Sequence, residues 1–139
     1  MTILVIDAQG GGIGKRLVAA VKEKLPEADV LAVGTNTAAT TAMLKAGADE
    51  AATGENAVIV GCRRADIIAG PIGIVIADSL LGEITPAIAL AVAQSRAKRV
   101  LIPFNHCDNI IAGAAEGNTG ELISAAVREI ERITRNNNG

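Results

Sequence analysis

The run Gln9-Gly10-Gly11-Gly12-Ile13-Gly14-Lys15 constrains this chain more than any other stretch. It follows the apolar run Ile3-Leu4-Val5-Ile6 and leads into a helical pattern with Ile13, Leu17, Val18, Val21 and Leu25 on one face. A strand over 3–7 therefore turns through glycines into a helix over 13–25, which Pro26 stops. Such a turn aims backbone N–H groups at the positive end of a helix dipole, a seat for phosphate or another anion. Four glycines in five positions also keep side chains away from an approaching ligand.

No standard fingerprint fits fully. A dinucleotide G-x-G-x-x-G ending at Gly14 places Gly11 correctly but puts Gln9 at the first glycine. The phosphate-loop pattern matches at Gly14-Lys15, yet Gln9 again replaces its first glycine. Arg16 stands where that pattern needs a magnesium-binding hydroxyl. The plain alternative is a tight turn whose glycines serve packing alone. Asp7 beside them would repel phosphate unless it bonds the loop's N–H groups, so it reads as a loop organiser.

Beyond this turn, strand and helix patterns alternate, which predicts an α/β fold: a Rossmann-like three-layer αβα domain over 1–135 with a mostly parallel sheet of five or six strands. A second strand spans 30–33. Asn36 or Thr37 caps a helix that ends at Gly47. A weak strand at 49–52 precedes Thr53-Gly54-Glu55-Asn56, a helix start with Thr53 as N-cap. Residues 57–60 fit either helix or strand, and the cationic finish Arg63-Arg64 favours helix. A strand at 66–70, a break at 71–73 and a short helix at 73–81 follow. Thr85-Pro86 starts a helix that reaches about Ser95. A strand at 99–102, a short edge strand near 109–113 and a last helix capped by Thr119 complete the order. Residues 136–139 read as a disordered tail.

Ligands bind open parallel sheets beyond the carboxyl ends of the strands. Those ends carry Gln9 to Gly14, then Gly34-Thr35-Asn36, then Thr53, Glu55 and Asn56. Gly70-Pro71-Ile72-Gly73 and Asn105 with His106-Cys107-Asp108 close the rim. Candidate cofactor-binding residues are accordingly Gln9, Gly10, Gly11, Gly12, Ile13, Gly14, Thr35, Asn36, Thr53, Glu55, Asn56, Gly70, Pro71, Ile72, Gly73 and Asn105. Near Thr35 an NAD domain usually places an acid for the ribose hydroxyls, and none is present; nor is there an Arg for a 2′-phosphate. Thr35 and Asn36 could bond a ribose or phosphate, or merely cap the next helix. His106 and Cys107 lack metal-ligand spacing, so no metal is expected. Glu55 is either a general base over the crevice or a first-turn acid facing the helix dipole.

Composition narrows the partners. Half the residues are apolar but Phe104 is the only Phe, Tyr or Trp, and net charge is −2. Neither stacking platforms nor a basic footprint for nucleic acid exist. No membrane segment or signal peptide is visible, and two isolated cysteines suit a reduced, cytoplasmic setting.

The chain resembles a small bacterial family built on a domain of unknown function of about this length. The resemblance lies in Ile6 to Gly14, Gly34-Thr35-Asn36, Met43 to Asp49, Ala52 to Ala57, Asp66 to Ile74, Leu81-Gly82-Glu83-Ile84-Thr85-Pro86 and Leu101-Ile102-Pro103. It implies a small stand-alone cytoplasmic protein and assigns no activity. A more distant similarity to NAD(P)-binding Rossmann domains rests on the first strand–helix unit. Three readings follow. The favoured one is a protein that binds a nucleotide or dinucleotide, NAD(P) or another, through phosphate at loop 9–15, as a sensor or accessory subunit without independent catalysis. The second is a small NAD(P)-dependent reductase. The third is a structural homo-oligomer, a dimer with its seam on helix 86–95 and its glycine loop empty.

Overall fold

The computed structural model describes residues 1–104, 108–114 and 117–138. Five strands form one sheet: β1 (Thr2–Asp7), β2 (Asp29–Gly34), β3 (Glu50–Thr53), β4 (Ile67–Pro71) and β5 (Lys98–Ile102). Their order is β3-β2-β1-β4-β5, and every pairing is parallel. The helices are α1 (Gly12–Lys24), α2 (Thr37–Lys45), α3 (Glu55–Arg64), α4 (Pro86–Gln94) and α5 (Thr119–Asn138).

A strand covered on both faces reads as a near-continuous apolar run, and the interior of β1 does: Ile3, Leu4, Val5 and Ile6 are all fully buried. Their alternation divides the core in two. Ile3, Val5, Val30, Ala32, Ile67 and Ala69 pack on one side with Leu17 and Val21 of α1, Met43 of α2 and Ile130 of α5. Leu4, Ile6, Leu31, Val33 and Ile68 pack on the other with Val58 of α3 and Ile88 and Val92 of α4. The result is the three-layer α/β architecture that the alternating pattern predicts. Among the described residues no helix is long and apolar enough to cross a membrane.

Most starts and stops follow local chemistry. Leu25 ends α1 ahead of Pro26, and Lys22 Nζ donates to the carbonyls of Pro26 (3.3 Å) and Ala28 (3.0 Å) and to Asp49 (2.9 Å). Asn36, rather than Thr37, caps α2 by accepting from the Ala39 N–H at 2.9 Å, and Gly47 follows that helix with φ +118°. Thr85 caps α4 through the Ile88 N–H at 3.2 Å, with Pro86 at the first helical position. Residues 57–60 are helical, as the cationic finish suggests.

Five expectations are corrected. Thr53 closes β3, and Gly54 (φ +107°) is the N-cap of α3; pairing with β2 captures Thr53 first. Instead of a helix over 73–81 there is a single 3-10 turn, Ile72–Val75. Left-handed φ values at Asp78 (65°), Leu80 (55°) and Leu81 (58°) forbid a right-handed helix beyond it. No strand forms at 109–113: Ala114 N–H closes a turn on the Ile111 carbonyl, and Ile110 is 91% exposed. Asn118, not Thr119, caps α5, its Oδ1 accepting from the Glu121 N–H at 2.9 Å. Finally, α5 runs on through Asn138, so 136–138 extend the helix.

Gly34, where β2 turns into α2, has no room for a side chain. A Cβ there would sit 2.5 Å from Thr40 N and 2.8 Å from Asn36 O. Gly34→Ala is therefore expected to destabilise the chain by about 1–3 kcal/mol in urea denaturation, because backbone must move. A change within about 0.5 kcal/mol would contradict this packing.

Candidate functional site

The chain winds one way from β1 to β2 and the other way from β4 to β5, so the carboxyl ends of β1 and β4 bound a topological switch point. A cavity of about 220 Å³ opens there. Its walls are Asp7, Ala8, Gln9, Gly10, Gly11, Gly12 and Ile13 after β1, Pro71 ending β4, and Leu80 and Phe104.

Asp7 organises this wall. It is 5% exposed, and its Oδ2 accepts from the Gly14 N–H at 2.6 Å while Oδ1 accepts from Ala8 N–H at 2.8 Å. The side chain thereby supplies the negative charge that the start of α1 lacks, since its N-cap is a glycine. Burial pushes the carboxyl above its ordinary range. The Gly14 and Ala8 N–H bonds pull the other way, and the Glu83 charge adds to the upward push. The loop-organising role read from the sequence thus has a geometry.

The glycines divide into two kinds. Gly11, at φ +72°, lies against α2: a Cβ would be 2.9 Å from Ala39 Cα. Gly14 faces Met43 Sδ (2.7 Å) and Asp7 Cβ (2.8 Å) in the same sense. Both are glycines because the fold leaves no space, which is the packing alternative. Gly10 and Gly12 differ: no atom of the described residues lies within 4 Å of a Cβ built on either, and neither has positive φ. The N–H groups divide likewise. Gly14 N–H is held by Asp7, Gly11 N–H by the Ala8 carbonyl (3.0 Å) and Gln9 N–H by Glu83 (3.0 Å). Among the described residues no protein acceptor takes the Gly10 or Gly12 N–H.

Glu83 was not legible as a site residue. Its Oε1 accepts from the Thr35 hydroxyl (2.7 Å), the Asn36 amide (2.7 Å) and the Gln9 N–H. It thus puts a carboxylate beside the end of β2, where the sequence offers no local acid. Desolvation raises its pKa, but the bonds from Thr35, Asn36 and Gln9 outweigh this and hold the carboxyl below its ordinary range. The residues that present it form a tight strap. Asp78 N–H donates to the Ile84 carbonyl at 2.7 Å, and the buried Ser79 hydroxyl donates to Gly73 O at 2.5 Å. Leu80, Leu81 and Gly82 are all left-handed. Only the Leu81-to-Pro86 block in the resemblance could have drawn attention to it.

Gln9, Thr35 and Asn36 therefore converge with the glycine loop, through Glu83. The others spread out. Thr53 Oγ1 lies 2.7 Å from Thr40 Oγ1, and Glu55 Oε1 accepts from Thr85 at 2.5 Å, tying α3 to α4. With Asn56 they stand by β3, an edge strand two places from β1, and do not line the cavity. Of the 70–73 group only Pro71 does. Gly70, Ile72 and Gly73 do not: Gly70 lies against the Ile6 carbonyl of β1, and Gly73 packs on the strap, its carbonyl held by Ser79. Lys15 and Arg16 turn into an outer groove between α1 and α2 with Thr37 and Lys45, so neither plays the phosphate-loop lysine. Asn105, His106 and Cys107 lie outside the described residues. Among the described residues no cluster of His, Cys, Asp or Glu could hold a metal.

Residues 2–135 match the family model described as Domain of unknown function (DUF3842), and the chain belongs to that family. The search of curated proteins gives no match. Among solved structures, the chain is similar to a dodecameric FMN-dependent Ubix-like decarboxylase from Escherichia coli O157:H7. The identity is 16% and the TM-score 0.44, over 96% of this chain and 95% of that one.

The two carboxylates should titrate with opposite consequences. Asp7, raised in the fold, makes the native state hold its proton longer than the unfolded chain does. Its contribution to stability falls as pH rises from the ordinary carboxylate range through its folded pKa. Glu83, lowered in the fold, contributes stability above the ordinary range that is lost as pH falls through its folded pKa. Urea denaturation from about pH 3 to pH 8 should therefore show Asp7→Asn and Glu83→Gln changing the pH slope in opposite directions. Changes of the same sign would contradict the assignment.

Proposed function

For this member of the DUF3842 family, we propose a nucleotide-binding function, as a sensor or accessory subunit without catalysis of its own, at the crevice between β1 and β4. One observation supports the reading: among the described residues, Gly10 and Gly12 have open space beside them and N–H groups that no protein acceptor takes. Glycine at the first turn of α1 costs helix stability relative to alanine, and the fold draws no packing or φ benefit from Gly12 in return. Close approach of an outside group accounts for it.

The surroundings favour a nucleotide over a free anion. Asp7 already neutralises much of the helix start, so a phosphate meets two N–H donors rather than a full nest. Glu83 supplies what a free phosphate would not need, an acceptor for sugar hydroxyls near the end of β2. A cavity of about 220 Å³ is below the roughly 300–1,000 Å³ that encloses a drug-sized ligand. It takes a sugar–phosphate portion and leaves the base outside. NAD(P), FAD, ATP and AMP all carry that portion.

A thermal-shift panel of NAD(H), NADP(H), FAD, ATP, AMP and coenzyme A tests this. A ligand at a hundred times its Kd adds about 2.7 kcal/mol to stability. Gly12→Ala and Gly10→Ala should fold as the parent does and lose at least about tenfold in affinity for whichever nucleotide stabilises it. Glu83→Gln should weaken a ribonucleotide more than inorganic phosphate. No shift with any nucleotide at millimolar concentration would overturn the proposal.

A further inference from the structure

α4 carries no charge from Pro86 to Gln94, although part of it faces outward. Ile88, Ala89 and Val92 are buried in the core, while Ala87 and Ala93 are exposed and Leu90 is 55% exposed. A helix that is apolar on both sides belongs inside an assembly. Its outer face continues into a groove of about 610 Å³ against α3, floored by Ile59, Ala87, Leu90 and Ala91.

Among the groove's lining residues the charged ones are Arg63 and Arg96, both at one end, and Glu55 lies beyond the other end, outside the lining. The helices run side by side in the same direction: Glu55 meets Thr85 at their starts, and Ser95 Oγ donates to the Cys62 carbonyl (2.8 Å) near their ends. Arg63 and Arg96 stand at the C-terminal end and Glu55 at the N-terminal end, and all three are exposed. Among the described residues none of the three forms an ion pair.

We infer that this groove is where a second copy of the chain docks, antiparallel, about a two-fold axis near Leu90. An antiparallel copy lays each Glu55 end over the partner's arginine end, and the two-fold repeats that match. The helix dipoles also oppose, whereas a parallel copy would set like ends together. Small side chains at positions 87 and 91 let the helices approach closely. The groove shares no lining residue with the glycine-loop cavity, so this interface is independent of nucleotide binding.

Sedimentation velocity on the full chain should show a dimer. Leu90→Glu, at an exposed position, should raise the dimer Kd by about tenfold or more while circular dichroism stays unchanged. Glu55→Arg should weaken association, and adding Arg63→Glu with Arg96→Glu to the same chain should restore it by reversing both ends. If Leu90→Glu fails to fold, Ala87→Arg addresses the same groove. A parent chain that stays monomeric, as it would if another protein covers the groove, overturns the inference. So does a dimer indifferent to both substitutions.

Discussion

The bond from Gly14 N–H to Asp7 Oδ2, 2.6 Å long and buried, is the constraint around which the rest is arranged. It joins the end of the central strand to the first turn of α1 and so fixes how that helix lies on the sheet. It also requires glycine at position 14, where a Cβ would meet Asp7 and Met43. Because an acid occupies the helix start from within, the loop between cannot act as a full phosphate nest. On the proposed reading, a ligand uses the part of the turn that Asp7 does not reach, Gly10 and Gly12.

This sets the electrostatic character of the crevice. Asp7 and Glu83 are close enough that the charge of one raises the pKa of the other. On the proposed reading, two carboxylates beside the Gly10 and Gly12 N–H groups disfavour highly charged, compact anions and favour a ligand that spreads its charge and brings hydroxyl donors to the acid side. The strap that delivers Glu83 passes through three successive left-handed residues, two of them leucines, at a cost of about 1–2 kcal/mol for each. Ser79 and the Ile84 carbonyl hold it in that path.

Much of the fold was written in short-range signals. Thr85-Pro86, the glycine turn and the apolar runs 3–6 and 30–33 each specify their element within a few residues, and the structure follows them. The edge strand at 109–113 failed because an apolar run becomes a strand only with a partner, and there the chain turns back on itself at Ile111. The strap at 76–84 failed for a related reason: its left-handed path is stabilised by Gly73 and its own turn bonds, which no periodicity encodes. Glu83 stands 48 positions from Thr35 and 74 from Gln9. Thr35 and Asn36 follow a strand end as their position in the sequence suggests, but their partner Glu83 comes from across the sheet.

The most direct test follows backbone amides by NMR during titration of the ¹⁵N-labelled chain with AMP, the smallest nucleotide of the panel. The account predicts that the Gly10 and Gly12 N–H signals move furthest, with the Asn36 side-chain amide following as Glu83 engages the ribose. The Gly14 signal should stay near its starting position under Asp7. Saturating AMP, NAD(H) or ATP leaving Gly10 and Gly12 unmoved, or Gly14 moving in their place, would contradict it.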